Sequence, residues 1–317
     1  MTYKNKKIAF VFPGQGAQYI GMGMDFIEQF PELLTPLSDF DKNNNASLTK
    51  IIKEGPEEVL KETKYTQPAI LFHSIIAMQS LQRFIPIKPD FVAGHSLGEI
   101  TALVANGVLR LEDALYLVHK RGEFMIKANQ GTPFAMAAII GLDPSIIKEI
   151  CTEASSEGLV VVANFNSPEQ TVISGTESGV KRACELATQK GAKRALTLPV
   201  GGPFHSPLIA QASEWLSQEM DTLTFNETEI PVISNVDAKP HTSPQQIKEN
   251  LTHQVTSSVL WVDCVRELIS LGADLLLEFG PKKVLAGMIK KIDRNVEIIS
   301  LDTVQDLSIV RDTLEQY

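Results

Sequence analysis

Between residues 134 and 198 the chain changes rhythm, and that change limits the possible folds more than any other feature of the sequence. Residues 134–140 read as a strand and 144–156 as a helix. Strands follow at 159–163 and 170–174, then a helix at 177–190 and a strand at 194–198. The order is βαββαβ, the split unit of ferredoxin-like domains, and its length suits a small domain. On both sides the chain alternates helix and strand. Strands are expected at 8–12 and 91–94, with helices at 57–62, 68–84, 97–105 and 111–128. After Pro199 come a helix at 207–220, a strand at 230–234, and helices near 244–251 and 259–271. A strand at 275–279, a helix at 282–291, a strand at 296–300 and a last helix from 303 complete the chain. Such alternation predicts an α/β domain with a mostly parallel sheet. The expected division is a large discontinuous domain, residues 1–130 and 201–317, interrupted by a small subdomain at 131–200. The cleft between them is the expected site.

The longest apolar runs, 8–12 and 135–142, fall well short of the roughly 18 residues of a membrane span. The start, MTYKNKKIAFVFPGQG, has a short apolar stretch stopped by Pro13 and no small-residue cleavage site, so no signal peptide is expected. Three cysteines, Cys151, Cys184 and Cys264, lie far apart, which excludes a disulfide framework and a spaced-thiolate metal site. A cytoplasmic location follows. Hydrophobic residues at 44% and charged residues at 21% describe a folded chain, and a net charge of −9 argues against a nucleic-acid partner.

Gly94-His95-Ser96-Leu97-Gly98 matches G-x-S-x-G between a predicted strand and a predicted helix, the context of a nucleophile elbow. In that reading the Leu97 N–H lies at the helix entrance, where free amides and the dipole stabilise an oxyanion. Ser96-x-x-Glu99 is equally a capping box, which starts many helices without chemistry. Gly14-Gln15-Gly16 follows the first strand, where loops of open α/β sheets form sites, and the Gln15 backbone N–H is a candidate second donor. The dinucleotide fingerprint is not completed, because Gly21 falls out of register.

Of the six histidines, His205 is placed for chemistry, in a loop leading to a helix that Ser206 could cap and Pro207 begin. A helix N-terminus disfavours imidazolium and leaves a neutral ring able to accept a proton. Arg121 borders the apolar stripe of helix 111–128, three residues after Val118 and four before Met125. A charge there needs a partner, either an internal carboxylate or a carboxylate on the substrate, which the guanidinium fork suits.

GQGAQ at 14–18, GHSLGE at 94–99, KRGEFM at 120–125, NFNSPEQTVISG at 164–175, GAKRAL at 191–196 and GPFHS at 202–206 occur in one order. In that order the chain resembles the malonyl-CoA:acyl-carrier-protein transacylases, from Phe10 to about Leu301. The resemblance implies a hydrolase-like α/β domain with a ferredoxin-like insert. It implies Ser96 as nucleophile, His205 as general base, Arg121 as clamp for the malonyl carboxylate, and the Gln15 and Leu97 amides as oxyanion hole. Phe204 is then expected to narrow the pocket against branched acyl groups. The histidine of such enzymes is oriented by a backbone carbonyl, expected here from Ser257-Ser258-Val259-Leu260, where the Asn-Pro and glutamine of many relatives are missing.

The implied reaction is ping-pong transfer of malonyl from malonyl-CoA to the phosphopantetheine thiol of acyl carrier protein. Neither a cofactor nor a metal is implied, the phosphopantetheine belongs to the partner, and a monomer is expected. Carrier docking is expected at Lys190, Lys193 and Arg194, or at Lys282, Lys283, Lys290 and Lys291. The competing expectations are a stand-alone acyltransferase loading a polyketide synthase, a serine hydrolase whose acid would be Asp113 or Asp143, and an idle carrier-binding protein.

Overall fold

Strand β1, Lys7–Phe12, is buried at every position after its first, because it is sandwiched on both faces. Ile8, Phe10 and Phe12 enter one core, whereas Ala9 and Val11 enter another on the opposite face. That is the two-sided burial expected of an unbroken apolar run in a parallel sheet. The computed structural model describes residues 6–129 and 131–315. The first five residues of the stretch read as lacking a leader lie outside these, as does residue 130, where the large domain's first segment is expected to end.

The remaining strands are β2 (Phe91–Gly94), β3 (Phe134–Ile140), β4 (Val160–Ser167), β5 (Gln170–Thr176), β6 (Arg194–Thr197), β7 (Val232–Ile233), β8 (Pro240–His241), β9 (Ala273–Phe279) and β10 (Glu297–Leu301). One sheet has the order β10-β9-β1-β2-β7-β8 and is parallel except for β8, which pairs antiparallel with β7. The other has the order β4-β5-β3-β6 and is wholly antiparallel, the arrangement of a βαββαβ unit. Helices Pro144–Ala154 and Glu177–Gln189 cover one face of this small sheet, packing on Ala137, Ile139 and Ile173. Its other face, with Met136, Ala138 and Val172, joins the main core and so looks toward the cleft.

The observed elements depart from the sequence reading where polar residues are buried or proline intervenes. β4 continues through Asn164, Asn166 and Ser167, beyond the expected end at 163, and all three side chains are buried. The expected helix 207–220 is a 3₁₀ turn, Pro207–Ile209, followed by a helix over Ala210–Asp221. Ser206 does not cap it; its hydroxyl donates to the Pro203 carbonyl at 2.6 Å. No helix among the described residues is long and apolar enough to cross a membrane.

Candidate active site

The chain leaves β2 at Gly94, turns at His95 and Ser96, and enters helix Leu97–Ala105. Ser96 has φ 53° and ψ −106°, a conformation an L-residue holds only when its surroundings impose it. The glycines explain the imposition. A Cβ on Gly94 would overlap the Gly98 backbone, and a Cβ on Gly98 would overlap the Phe12 carbonyl at the end of β1. The helix therefore sits directly on the strand ends and pushes Ser96 outward. Gly14 makes the same kind of approach, since its Cβ would lie 2.6 Å from the His95 carbonyl oxygen. The two glycine motifs are in contact.

Ser96 does not use its hydroxyl to cap the helix. Its Oγ lies 2.8 Å from His205 Nε2 and accepts from Arg121 Nη2 at 3.0 Å. Its N–H donates to Asn235 Oδ1 at 2.7 Å. Glu99, the other half of the possible capping box, turns inward instead and accepts from Gln254 Nε2 at 2.7 Å and the Asn235 N–H at 3.0 Å. Burial lifts the Glu99 carboxyl to about 7.

His205 also has a positive φ, 57°, and is 4% exposed. Its Nδ1 lies 2.9 Å from the Gln254 carbonyl. A carbonyl only accepts, so Nδ1 carries the hydrogen and Nε2 presents a lone pair to Ser96. The orienting carbonyl was expected from Ser257–Leu260; the bond at 2.9 Å comes instead from Gln254, the last residue of helix Pro244–Gln254, while the Ser257 backbone is a second, weaker partner of the ring. Carbonyls at a helix C-terminus lack an intrahelical partner and are available for such a bond. The 257–260 stretch also ties the small sheet to the large domain. Val259 bridges Asn164 in parallel, and the Ser258 hydroxyl donates to the Val162 carbonyl at 2.6 Å.

The neutrality of the His205 ring has a different cause from the helix terminus first considered. Burial, reinforced by the positive charge of Arg121, holds its pKa down to about 3.

Arg121 is 2% exposed on helix Leu111–Lys127, and no carboxylate pairs with it among the described residues. Nη1 donates to Gln67 Oε1 at 2.8 Å, and Nη2 donates to Gln254 Oε1 at 2.8 Å as well as to Ser96. Its Nε–H is buried without a partner among the described residues. Burial lowers its pKa to about 10, against the pull of the Glu99 charge, so it remains a cation at neutral pH. A buried guanidinium supported only by neutral amides and a hydroxyl is a receptor for an incoming carboxylate.

These groups open into a cavity of about 190 Å³, bordered also by Gln15, Leu97 and Phe204. That is small beside the roughly 300–1,000 Å³ of drug-sized ligand pockets. Its apolar lining includes Met125, Met136, Val172, Leu198 and Val200, contributed by both sheets' surroundings. His95 also lines the cavity, with Nε2 2.8 Å from Asn166 Oδ1 and its ring edge-on to Trp261. Among the described residues no three His, Cys, Asp or Glu side chains group to hold a metal ion.

The structure thus gathers Ser96, His205, Arg121, Gln15, Leu97 and Phe204 around one cavity. Sequence reasoning missed Gln67, Asn235 and Gln254, and took Glu99 only as a helix cap. Gln67 carried a faint signal, a polar side chain opening the long apolar run of helix Thr63–Gln82. The acids considered for a hydrolase triad are elsewhere. Asp143 caps helix Pro144–Ala154 through the Ser145 N–H, and Asp113 sits in the first turn of helix Leu111–Lys127.

The acyl transferase domain family matches residues 9–306. A malonyl CoA-acyl carrier protein transacylase of Bacillus subtilis is 43% identical over 311 residues, covering 98% of each chain. The solved malonyl CoA-acyl carrier protein transacylase of Coxiella burnetii superposes with a TM-score of 0.93 at 38% identity, covering 98% of both chains. A malonyl-transacylase solved in complex with its type II polyketide-synthase acyl-carrier protein also gives a TM-score of 0.93. It is 36% identical and covers 98% of this chain and 100% of that one.

Proposed function

The chain belongs to the acyl transferase family, with the malonyl-CoA:acyl-carrier-protein transacylases, and on that premise we propose that it moves malonyl groups from malonyl-CoA to acyl carrier protein through Ser96. The observation that carries the role of these residues is the single contact set around Ser96 Oγ, His205 on one side and unpaired Arg121 on the other.

Arg121 receives the malonyl carboxylate, which places the thioester carbonyl beside Ser96. His205 Nε2 takes the Ser96 proton as Oγ attacks that carbonyl, and Nδ1–H stays bonded to Gln254. The resulting oxyanion is received by the Gln15 and Leu97 N–H groups, each such donor being worth about 3 kcal/mol to the transition state. The intermediate collapses with cleavage of the C–S bond, and the CoA sulfur leaves with the proton from His205. In the second half the phosphopantetheine thiol gives its proton to His205 and attacks the malonyl-serine ester. Ser96 Oγ then leaves and recovers the proton. An acetyl group would leave the buried guanidinium unpaired, a penalty of about 2–5 kcal/mol. Phe204 closes the cavity against branched chains.

The reaction uses side chains and amides of this chain with no added cofactor, and the product supplies fatty-acid elongation. A cytoplasmic monomer is the proposed form, in keeping with three free thiols. Lys190, Lys193 and Arg194 are proposed to dock the carrier. They make no ion pair among the described residues, and β6 leads from them to cavity residues Leu198 and Val200. Lys282, Lys283 and Lys290 are held by Gln18, Asp306 and Val296 respectively. A polyketide carrier is the second reading, supported by the related malonyl-transacylase solved with such a protein.

Intact mass after incubation with malonyl-CoA alone tests the proposal. One malonyl adduct is expected, absent in Ser96→Ala and weak with acetyl-CoA. Released CoA without an adduct would make water the acceptor, and neither adduct nor released CoA would sink the enzyme assignment.

A further inference from the structure

Glu99 is 1% exposed, in the first turn of the helix that follows the nucleophile, and no step of the reaction uses it. A carboxylate at this depth is costly unless its oxygens are engaged. The Ser234 hydroxyl is one partner, and two others, Gln254 Nε2 and the Asn235 N–H, turn on toward the reacting groups. Gln254 Nε2 also donates to the Ser96 carbonyl at 3.0 Å, while Gln254 Oε1 accepts from Arg121 Nη2 at 2.8 Å. Asn235 receives the Ser96 N–H and donates Nδ2 to the Gly94 carbonyl at 2.8 Å.

Polarity is what these contacts have in common. A primary amide donates at one end and accepts at the other, and a half-turn of the group exchanges the ends with almost no change of shape. At Gln254 the Glu99 carboxylate and the Ser96 carbonyl demand a donor, and the Arg121 guanidinium demands an acceptor. Flipped, the amide would set oxygen against the carboxylate and the carbonyl and NH₂ against the guanidinium, three repulsive contacts in a dry interior. We infer that Glu99 is a positioning residue for acyl-group selection: through the Gln254 amide it holds Arg121 in the orientation that receives the substrate carboxylate. Glu99 touches neither substrate nor reacting atoms. Its effect is transmitted through one side chain to the guanidinium.

This inference rests on the proposed malonyl transfer. Its test is single-turnover acylation of the full chain by malonyl-CoA and by acetyl-CoA at about pH 8, above the value of about 7 to which burial lifts Glu99. Glu99→Gln offers Gln254 a donor as readily as an acceptor, and so removes the charged one of the contacts that oppose the flipped amide. The half-saturating malonyl-CoA concentration is expected to rise at least about tenfold, with acetyl-enzyme formation changed less than about threefold. Equal loss with both substrates, or none, overturns the proposal, because packing alone does not distinguish a charged acyl group from a neutral one. Should Glu99→Gln fail to melt as a folded protein, Gln254→Leu removes the relay from its other end and keeps the backbone carbonyl on His205. An unchanged malonyl-to-acetyl ratio there overturns the proposal equally. A wild type that takes no malonyl group overturns this role and the functional reading together. Wild type and variant discriminating alike overturn the positioning role alone.

Discussion

At the scale of single residues the site combines two buried bases of opposite behaviour. His205 is neutral because burial and the Arg121 charge depress it, whereas Arg121 stays charged although burial lowers it too. The histidine therefore links folding to pH. Its pKa falls from 6.5 in the unfolded chain to about 3 in the folded one, so between these values the unfolded state binds a proton that the folded state refuses. Stability is lost as pH falls through that window. Urea unfolding is expected to show wild type weakening more steeply than His205→Asn as pH drops from about 6.5 to about 4.5. Ser96 and His205 were legible from sequence because each sits in a motif whose glycines or prolines declare a turn. The partner that orients His205 was not legible, because a backbone carbonyl has no residue identity.

At the scale of elements, the cavity walls are held by groups from outside the elements that form them. Helix Val284–Ile292 contributes Val284, Leu285 and Met288 to the cavity, and its own N-cap residue, Lys283, gives no side-chain cap. Its cap comes from β9. Glu278, fully buried, accepts from the Leu285 N–H at 2.7 Å, the Ala286 N–H at 3.0 Å and the Ser300 hydroxyl at 2.7 Å. A carboxylate on those first amides also meets the positive end of the helix dipole. Glu278→Ala is expected to cost about 2–3 kcal/mol, as a lost cap plus amides left buried without an acceptor. Denaturant titration reads that cost, and a raised KM for malonyl-CoA is expected with it as the wall loosens. Sequence patterning located this helix to within about two residues. It carried no sign of the cap, since the strand residue that supplies it reads from sequence only as a charge in an apolar run.

At the scale of the molecule, the small antiparallel sheet and the large parallel one are joined by backbone as well as by side chains. The Phe165 N–H donates to the Val259 carbonyl at 2.9 Å, and the Val259 N–H donates to the Ala163 carbonyl at 2.8 Å. In hydrogen exchange these two amides are expected in the slowest class, with β1 and β9. Faster exchange would mean that the small unit opens on its own. The seam also sets Asn166 against His95 and brings Met136 and Val172 into the cavity. What the sequence by itself determined was local or periodic: the two rhythms of strand and helix, the βαββαβ order, and an elbow that sterics allow only glycine to flank. Those signals are local because a turn or an amphipathic face involves neighbours along the chain. Only the tertiary structure decided the polar frame of Gln67, Glu99, Asn235 and Gln254. Its bonds join side chains as far as 155 residues apart, and partners so distant need share no spacing, period or motif.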